Sequence, residues 1–418
     1  MGSAYTMSIT PAADVYKAGQ LAAHITRTVA GDTIFRYVRD YDGPPIATTL
    51  PVNDSDILSP HGALPVFFTG LLPEGARLER LKQHSKQSLS NELGLLLEVG
   101  ADVPGDVQVV PHGHNLHNVE PLVHESLSEM VFDDLLTQVD RRSLPGVQEK
   151  ASASMISVPA RVRRKDASQT AQCPREGIIK LDPPRYMALT ANEFQHLQAA
   201  RKLGIPVARA EIVHDSRGES ALFVERFDRA CVDGQVMKIA CEDAAQVMDI
   251  APAMKYEVTS EDVSEALSHL CAGQAAARRN LYLQFLYAWL TGNGDVHAKN
   301  LSILHGRSGW EIAPMYDLPC TLVYGDDEMA LSIQGRRKKL KLDHWRGFAD
   351  TLGLPEKSLP KIFARALRAA SSVDWEQLPF TGSVLRAVQR ELVSRRWQLE
   401  RLLNGEDSLH QSRSLRSI

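Results

Sequence analysis

Alternating apolar and polar positions mark the first part of the chain, and long apolar stripes mark the second. Residues 15–27 and 33–37 alternate with the period of two that one-sided strands require, around an Ala30-Gly31-Asp32 turn. Residues 64–72 and 76–85 have helical periodicity broken at Pro73, and residues 93–99 form an apolar helical run stopped by Gly100. Residues 111–127 lose the hydrophobic period and read as a linker. Further on, residues 177–181 predict a short apolar strand carrying one lysine, and residues 192–203 a helix closed by Gly204 and Pro206. Residues 210–213 and 221–224 predict two strands joined at Asp215-Ser216-Arg217-Gly218. From residue 233 the pattern is mostly helical. Residues 281–290 read as a buried helix, 356–370 and 384–403 as amphipathic helices, and the polar tail 405–418 as disordered.

The chain has 418 residues, enough for two to four units that each bury a core. A net charge of −4 excludes a molecule that attracts nucleic acid as a whole. One local basic run stands out, Arg336-Arg337-Lys338-Lys339-Leu340-Lys341. It reads as a solvated charged face, with DNA or tRNA phosphates as the other reading. Cys173, Cys231, Cys241, Cys271 and Cys320 are scattered and form no CxxC. That usage predicts free thiols in a reducing cytoplasm, not a disulfide scaffold or a zinc knuckle. Residues 1–13 lack a basic stretch followed by an apolar one, so no secretory signal is expected, and no run reaches the ~18–20 apolar residues of a membrane span. His112-Gly113-His114 with His117 offers imidazoles to a metal, but no carboxylate or cysteine completes a set at tight spacing, so a polar loop is expected.

The chemistry concentrates at Gly292-Asn293-Gly294-Asp295-Val296-His297-Ala298-Lys299-Asn300, a polar loop between two apolar runs. Asp295 and Asn300 have the D-x-x-x-x-N spacing by which a phosphotransferase pairs a base with a magnesium ligand. About one such pair arises by chance in a chain of this length, and a polar turn is the plain alternative. A hairpin through residues 305–309 would return Asp317 to Asn300, completing an oxygen set for magnesium. Lys180, alone on an apolar strand, needs a partner if buried, and Glu193 on the next helix is placed to supply it. Residues 142–150, Arg-Ser-Leu-Pro-Gly-Val-Gln-Glu-Lys, form a polar loop able to cover phosphates with backbone N–H groups, although they are neither a Walker A loop nor G-x-G-x-x-G. Glu225-Arg226-Phe227-Asp228-Arg229 joins the mixed part to the helical part, either as a hinge offering backbone groups to adenine or as a charged connector with Phe227 packed beneath it.

Taken together, these segments resemble the HipA-like kinases, the toxin component of a bacterial toxin–antitoxin pair. The resemblance rests on Ser143 with Gly146-Val147-Gln148-Glu149-Lys150, Ile178-Ile179-Lys180-Leu181, Asn192-Glu193 and Val224 to Arg229. It continues through Glu242-Asp243 with Gln246, Lys255-Tyr256-Glu257, the loop 294–300 and Tyr316-Asp317, and earlier through residues 67–75. It covers about residues 15–404.

The resemblance implies an α+β, bilobal protein-kinase-like fold with a mixed small lobe, a helical large lobe and an extra N-terminal α/β subdomain. The expected division is 1–110, a linker at 111–127, 128–230, 231–404 and the tail. It implies ATP and Mg2+ as cofactors, Asp295 as catalytic base, Asn300 and Asp317 as metal ligands, and Lys180 on the phosphates with Glu193 as its partner. Gly146, Val147, Gln148, Glu149, Lys150, Glu225, Phe227, His297 and Lys299 complete the expected ATP site, and Ser143 matches a self-inactivating autophosphorylation site. It further implies a serine of a protein as substrate, an aminoacyl-tRNA synthetase in known members, and a HipB-like helix-turn-helix antitoxin as partner on operator DNA. Pro145 within the loop and Leu318-Pro319-Cys320 after Asp317 depart from the pattern. The other classes are a small-molecule kinase of similar fold, which needs no N-terminal appendage, and a non-catalytic scaffold, which needs no Lys180–Asp295–Asn300–Asp317 set.

Overall fold

The alternating residues near the start form two strands, not one. In the computed structural model, which describes residues 11–75, 78, 81–82, 91–116, 123–125, 131–132, 155–162 and 173–403, β1 (Pro11–Lys17) turns back at Ala18-Gly19 into β2 (Gln20–Arg27). With β3 (Thr33–Tyr37), β4 (Ile57–Ser59) and β5 (Val107–Pro111) they make an antiparallel sheet of order β4-β3-β2-β1-β5. Alternation sends Val15, Ala23, Ile25 and Phe35 to one face. There they pack on Phe67 and Phe68 of α1 (Val66–Leu71) and on Leu95 and Leu96 of α2 (Glu92–Val99). Asn91 caps α2 by accepting from the Gly94 amide.

The second sheet has order β6-β7-β8-β10-β9, with only β6 parallel to its neighbour. Its strands are β6 (Val123–Glu125), β7 (Ile156–Val162), β8 (Arg175–Leu181), β9 (Ala210–His214) and β10 (Ser220–Glu225). Between β8 and β9 runs α3 (Leu189–Ala200), prolonged by a 3-10 turn and closed at Gly204.

The remaining chain is mostly helical but holds more strand than its periodicity announces. A hairpin of β11 (Arg229–Val232) and β12 (Gln235–Lys238) precedes β13 (Cys241–Asp243), which pairs with β14 (Ser302–Gly306) and through it with β15 (Gly309–Ile312). α4 (Ala244–Val247) and α5 (Ser260–Leu270) both start from capping boxes, Asp243 with Gln246 and Thr259 with Asp262. α6 (Gln274–Thr291) is the central element, buried on all sides from Leu281 to Thr291. Around it lie α7 (Leu342–Thr351), α8 (Leu359–Ala370) and α9 (Gly382–Leu403). Among the described residues, no helix is long and apolar enough to cross a membrane.

Cysteine usage misleads at one pair. Cys173 and Cys231 are joined in a disulfide with Cα atoms 5.7 Å apart, because β11 returns beside the residues entering β8, 58 positions away in sequence. Cys241, Cys271 and Cys320 are free and buried. The basic run is also less free than it reads: Arg337 donates to the Tyr256 carbonyl, Lys338 pairs with Asp327 and Glu328, and Leu340 is buried.

Candidate active site

Lys180 owes its place to strand alternation. Ile179 and Leu181 enter the core on one face of β8, so Lys180 emerges on the other, opposite Leu222 of β10. On that face α3 presents Glu193, wholly buried, and Lys180 Nζ donates to its two carboxylate oxygens at 2.7 and 2.8 Å. The same ammonium donates to Asp317 Oδ1 at 3.0 Å. Burial works against the lysine's charge, but the Asp317 and Glu193 carboxylates outweigh it and hold the ammonium charged far above its usual range. Burial lifts the Glu193 carboxyl to about 7 even though Lys180 pulls it down.

The polar loop hangs from the end of α6. Gly292 closes that helix at φ +74°, a left-handed conformation that suits glycine. Gly294 donates to Thr321 Oγ1 at 2.7 Å, and a side chain there would lie 2.3 Å from the Glu328 carbonyl, so only glycine passes. Asn293 Oδ1 accepts from the Asp295 amide at 2.9 Å and fixes the backbone under the carboxylate. Asn300 Nδ2 donates to the Asp295 carbonyl at 2.8 Å and to Asp317 Oδ2 at 3.2 Å. Asp317 itself sits at φ +56°, a strained conformation for a residue other than glycine. The β14–β15 hairpin brings it there, as its turn residues predict.

Lys180, Glu193, Asn300 and Asp317 therefore meet in one hydrogen-bonded cluster, with Asp295 joined through its backbone. Not every expected residue joins them. Lys299 points the other way, into a contact with Gly70 and Asp243. His297 turns its ring edge to Tyr256 and accepts from the Lys299 amide through Nδ1. Phe227 packs on Tyr316 beneath the connector, and the Glu225 amide donates to the Arg209 carbonyl. Ser143, Gly146, Val147, Gln148, Glu149 and Lys150 lie outside the described residues. A cavity of ≈ 440 Å³ lined by Arg175, Arg209, Glu211 and Phe223 is on the opposite face of the sheet from Lys180.

Comparison with known proteins decides the family. Residues 142–373 match the HipA-like C-terminal domain and residues 13–110 the HipA N-terminal domain. The chain belongs to the HipA family. It is 28% identical over 362 residues to the serine/threonine-protein kinase toxin HipA of Shewanella oneidensis, covering 79% of this chain and 81% of that protein. It is 30% identical over 381 residues to the Y4mE protein of Sinorhizobium fredii, covering 86% and 89%. A solved chain from the Shewanella oneidensis complex of HipA, HipB and operator DNA superposes with a TM-score of 0.73 at 23% identity, covering 93% of this chain and 97% of that one. The fold is thus the protein-kinase-like fold of HipA, and the chain is a kinase of that family.

Three residues of this HipA-like site carry no role in the sequence reading. Tyr256 donates from its hydroxyl to Asp295 Oδ1 at 3.1 Å. Burial and the adjoining Asp295 carboxylate push its phenol well above the usual range, so it remains a donor. Its segment, Lys255-Tyr256-Glu257, carries the family resemblance, and that was its only signal. Asn192 exchanges hydrogen bonds with the Cys320 backbone at 2.9 and 3.0 Å, which fastens the segment after Asp317 to the helix bearing Glu193. Asn293 is the third, and nothing but its place beside Asp295 could have marked it.

Proposed function

We propose that this chain transfers the γ-phosphoryl group of ATP, with Mg2+, to a serine or threonine of a protein and acts as a toxin by doing so. One observation carries the reading: the Asp317 carboxylate accepts from both Lys180 and Asn300, while Asn300 also holds the Asp295 backbone. Phosphoryl transfer asks a protein for positioning and charge compensation, and this set supplies both.

The residues fit Mg2+. Asp317 is part-exposed, and Asn300 spends its amide nitrogen on the Asp295 carbonyl and Asp317, which leaves its side-chain oxygen for a hard cation. Asp317 and Asn300 would hold the ion, which when bound offsets phosphate charge. Asp295 accepts the proton of the incoming hydroxyl. Lys180, charged and clamped by Glu193, orients the phosphates. Residues 143–150 cover them, Glu225 and Phe227 border the adenine, and the chain divides near 110, 230 and 404, with residues 123–125 of the expected linker belonging to the second sheet as β6.

The relatives support the finer parts. One is named a serine/threonine-protein kinase toxin, and a solved neighbour is assembled with HipB on operator DNA. On that reading a HipB-like helix-turn-helix antitoxin neutralises this chain and carries it to operator DNA. The substrate is of the aminoacyl-tRNA synthetase class, translation stops in the cytoplasm, and persistence follows. Phosphorylation at Ser143 switches the enzyme off. The test is transfer from γ-labelled ATP into a lysate. Label should enter protein with Mg2+ and not with chelator or with Asp295→Ala. Label that passes only into small molecules would favour a small-molecule kinase, and a folded protein transferring none would leave only the scaffold.

A further inference from the structure

Far from that cluster in sequence, one carboxylate on the first sheet lies between two imidazoles. In the strand register Asp14 of β1 faces His24 of β2, and on its other side faces Val110 of β5, two residues before His112. Ala13 and Val15 are buried in the core, so Asp14 projects from the opposite face, and Ala23 and Ile25 send His24 to that same face. Asp14 Oδ1 is 2.7 Å from His24 Nδ1 and 2.7 Å from His112 Nδ1. Its other oxygen accepts from the Gly113 amide at 2.9 Å, which fixes the carboxylate plane.

We propose that Asp14, His24 and His112 form a binding site for one borderline divalent transition cation, with Zn2+ as the type. Their ligand atoms lie within 4.8 Å of one another. Ligands at ~2.1 Å from a metal stand about 3.0 Å apart when cis in an octahedron and about 3.4 Å apart in a tetrahedron. The two contacts of 2.7 Å therefore need to open by well under ~1 Å. Binding requires each imidazole to carry its proton on Nε2, so that the Nδ1 lone pair turns to the metal. Two nitrogens and one oxygen suit zinc, cobalt, nickel or iron, and discriminate against magnesium and calcium. The Asp14 side chain is 6% exposed and the two imidazoles 28% and 39%. The anchor is therefore rigid while the rings face water, open to an arriving ion and to its remaining water ligands.

The sequence hints at half of this. His112 belongs to the histidine run at 112–117, and the missing carboxylate stands 98 residues upstream, out of reach of any spacing rule. The cation would staple β2, β1 and β5 where the chain leaves the first sheet. The alternative is an aspartate simply hydrogen-bonded to two histidines.

The two readings separate on the full-length protein stripped with chelator and held in excess Mg2+, which masks carboxylate sites. Titration with Co2+, followed by its visible absorption, and with Zn2+ against a chromophoric competitor should show one equivalent at micromolar or tighter affinity. His24→Gln and His112→Gln should each weaken it at least tenfold, and the double variant should abolish it. Each variant should remain folded in chelator, where its own unfolding temperature is the baseline, because glutamine can still donate to Asp14. Zn2+ should raise that temperature by several degrees in the parent and not in the double variant. No uptake by the parent, or an equivalent that survives in the double variant, overturns the site.

Discussion

Lys299 Nζ donates to the Gly70 carbonyl at 2.7 Å and to Asp243 Oδ2 at 3.0 Å, so the loop bearing Asp295 is tied to the first domain. The tie is part of a wider seam. Gln246 Nε2 donates to the Phe67 carbonyl at 3.0 Å, and the Thr48 amide and hydroxyl donate to Glu242 at 2.9 and 2.7 Å. Lys255 pairs with Glu74 beside it. Lys299→Met removes the charged partner of the part-buried Asp243 carboxylate, which keeps only its cap on α4, at a cost of about 1–3 kcal/mol in unfolding free energy. It should lower kcat by loosening the loop and leave KM for ATP near the parent value. Steady-state kinetics with urea unfolding checks this. A raised KM for ATP at unchanged stability would return Lys299 to the phosphates.

Asp295 and Asp317 should separate kinetically. Asp295→Ala removes a proton acceptor worth about 10²–10⁴ in rate and should leave nucleotide affinity nearly unchanged. Asp317→Ala removes both a Lys180 partner and the charge facing Mg2+, so affinity for Mg·ATP should fall along with the rate. Tyr256→Phe, which deletes the hydroxyl that donates to Asp295, should cost roughly 1 kcal/mol, a rate drop of about fivefold. Circular dichroism confirms that each variant is folded. An Asp295→Ala enzyme near the parent rate would remove Asp295 from the role of base.

Local rules made much of this legible. Alternation turns Lys180 to the face away from its core neighbours, Gly204 ends the helix that carries Glu193, and the 305–309 turn brings Asp317 back to Asn300. What stayed hidden depends on chain segments that meet without a shared pattern. Tyr256 reaches Asp295 from 39 positions away, Asn192 reaches Cys320 from 128, and Lys299 reaches Gly70 from 229. The β11–β12 hairpin is short and half-exposed, so it has no strong period, and the pairing of Cys173 with Cys231 depends on it. α5 and α7 fall within the stretch read as mostly helical from residue 233 but were not delimited there, because each is short, and the buried face of α5 carries serines between Val263 and Leu267.

Ser143 tests self-inactivation. Incubated with ATP and Mg2+, the parent should gain one phosphate that maps to Ser143, and its activity should then decay. A phosphate dianion beside the triphosphate site adds about −1.5 to −2 charges where more negative charge must bind. Ser143→Ala should lose the mass shift and keep its activity longer. Intact-mass spectra and peptide mapping read the outcome. A phosphate found elsewhere, with ATP binding unchanged, would leave the kinase standing without this switch.

His196 sets a pH limit on the helix that carries Glu193. The residue is wholly buried on α3, its Nδ1 hydrogen-bonded to the Asn192 carbonyl at 2.8 Å, its Nε2 without a partner among the described residues, and its ring at right angles to Trp375. Burial depresses the imidazole to about 4; the Asn192 bond opposes this, and the nearby Arg396 charge adds to it. In the unfolded chain the group titrates near ~6.5. Between those values the unfolded state binds a proton that the folded state refuses, so stability is full above about 6.5 and falls as pH drops toward about 4. At pH ~4.5 the loss from this one group is on the order of 2–3 kcal/mol. His196→Leu keeps an apolar side chain of similar size and has nothing to protonate. Urea unfolding at pH ~7.5 and ~4.5 should show the parent losing that much more stability than the variant, because every other titrating group is common to both. Equal losses in the two proteins would mean that His196 takes up its proton in the folded state, through water entry or a shift of α3 away from Trp375.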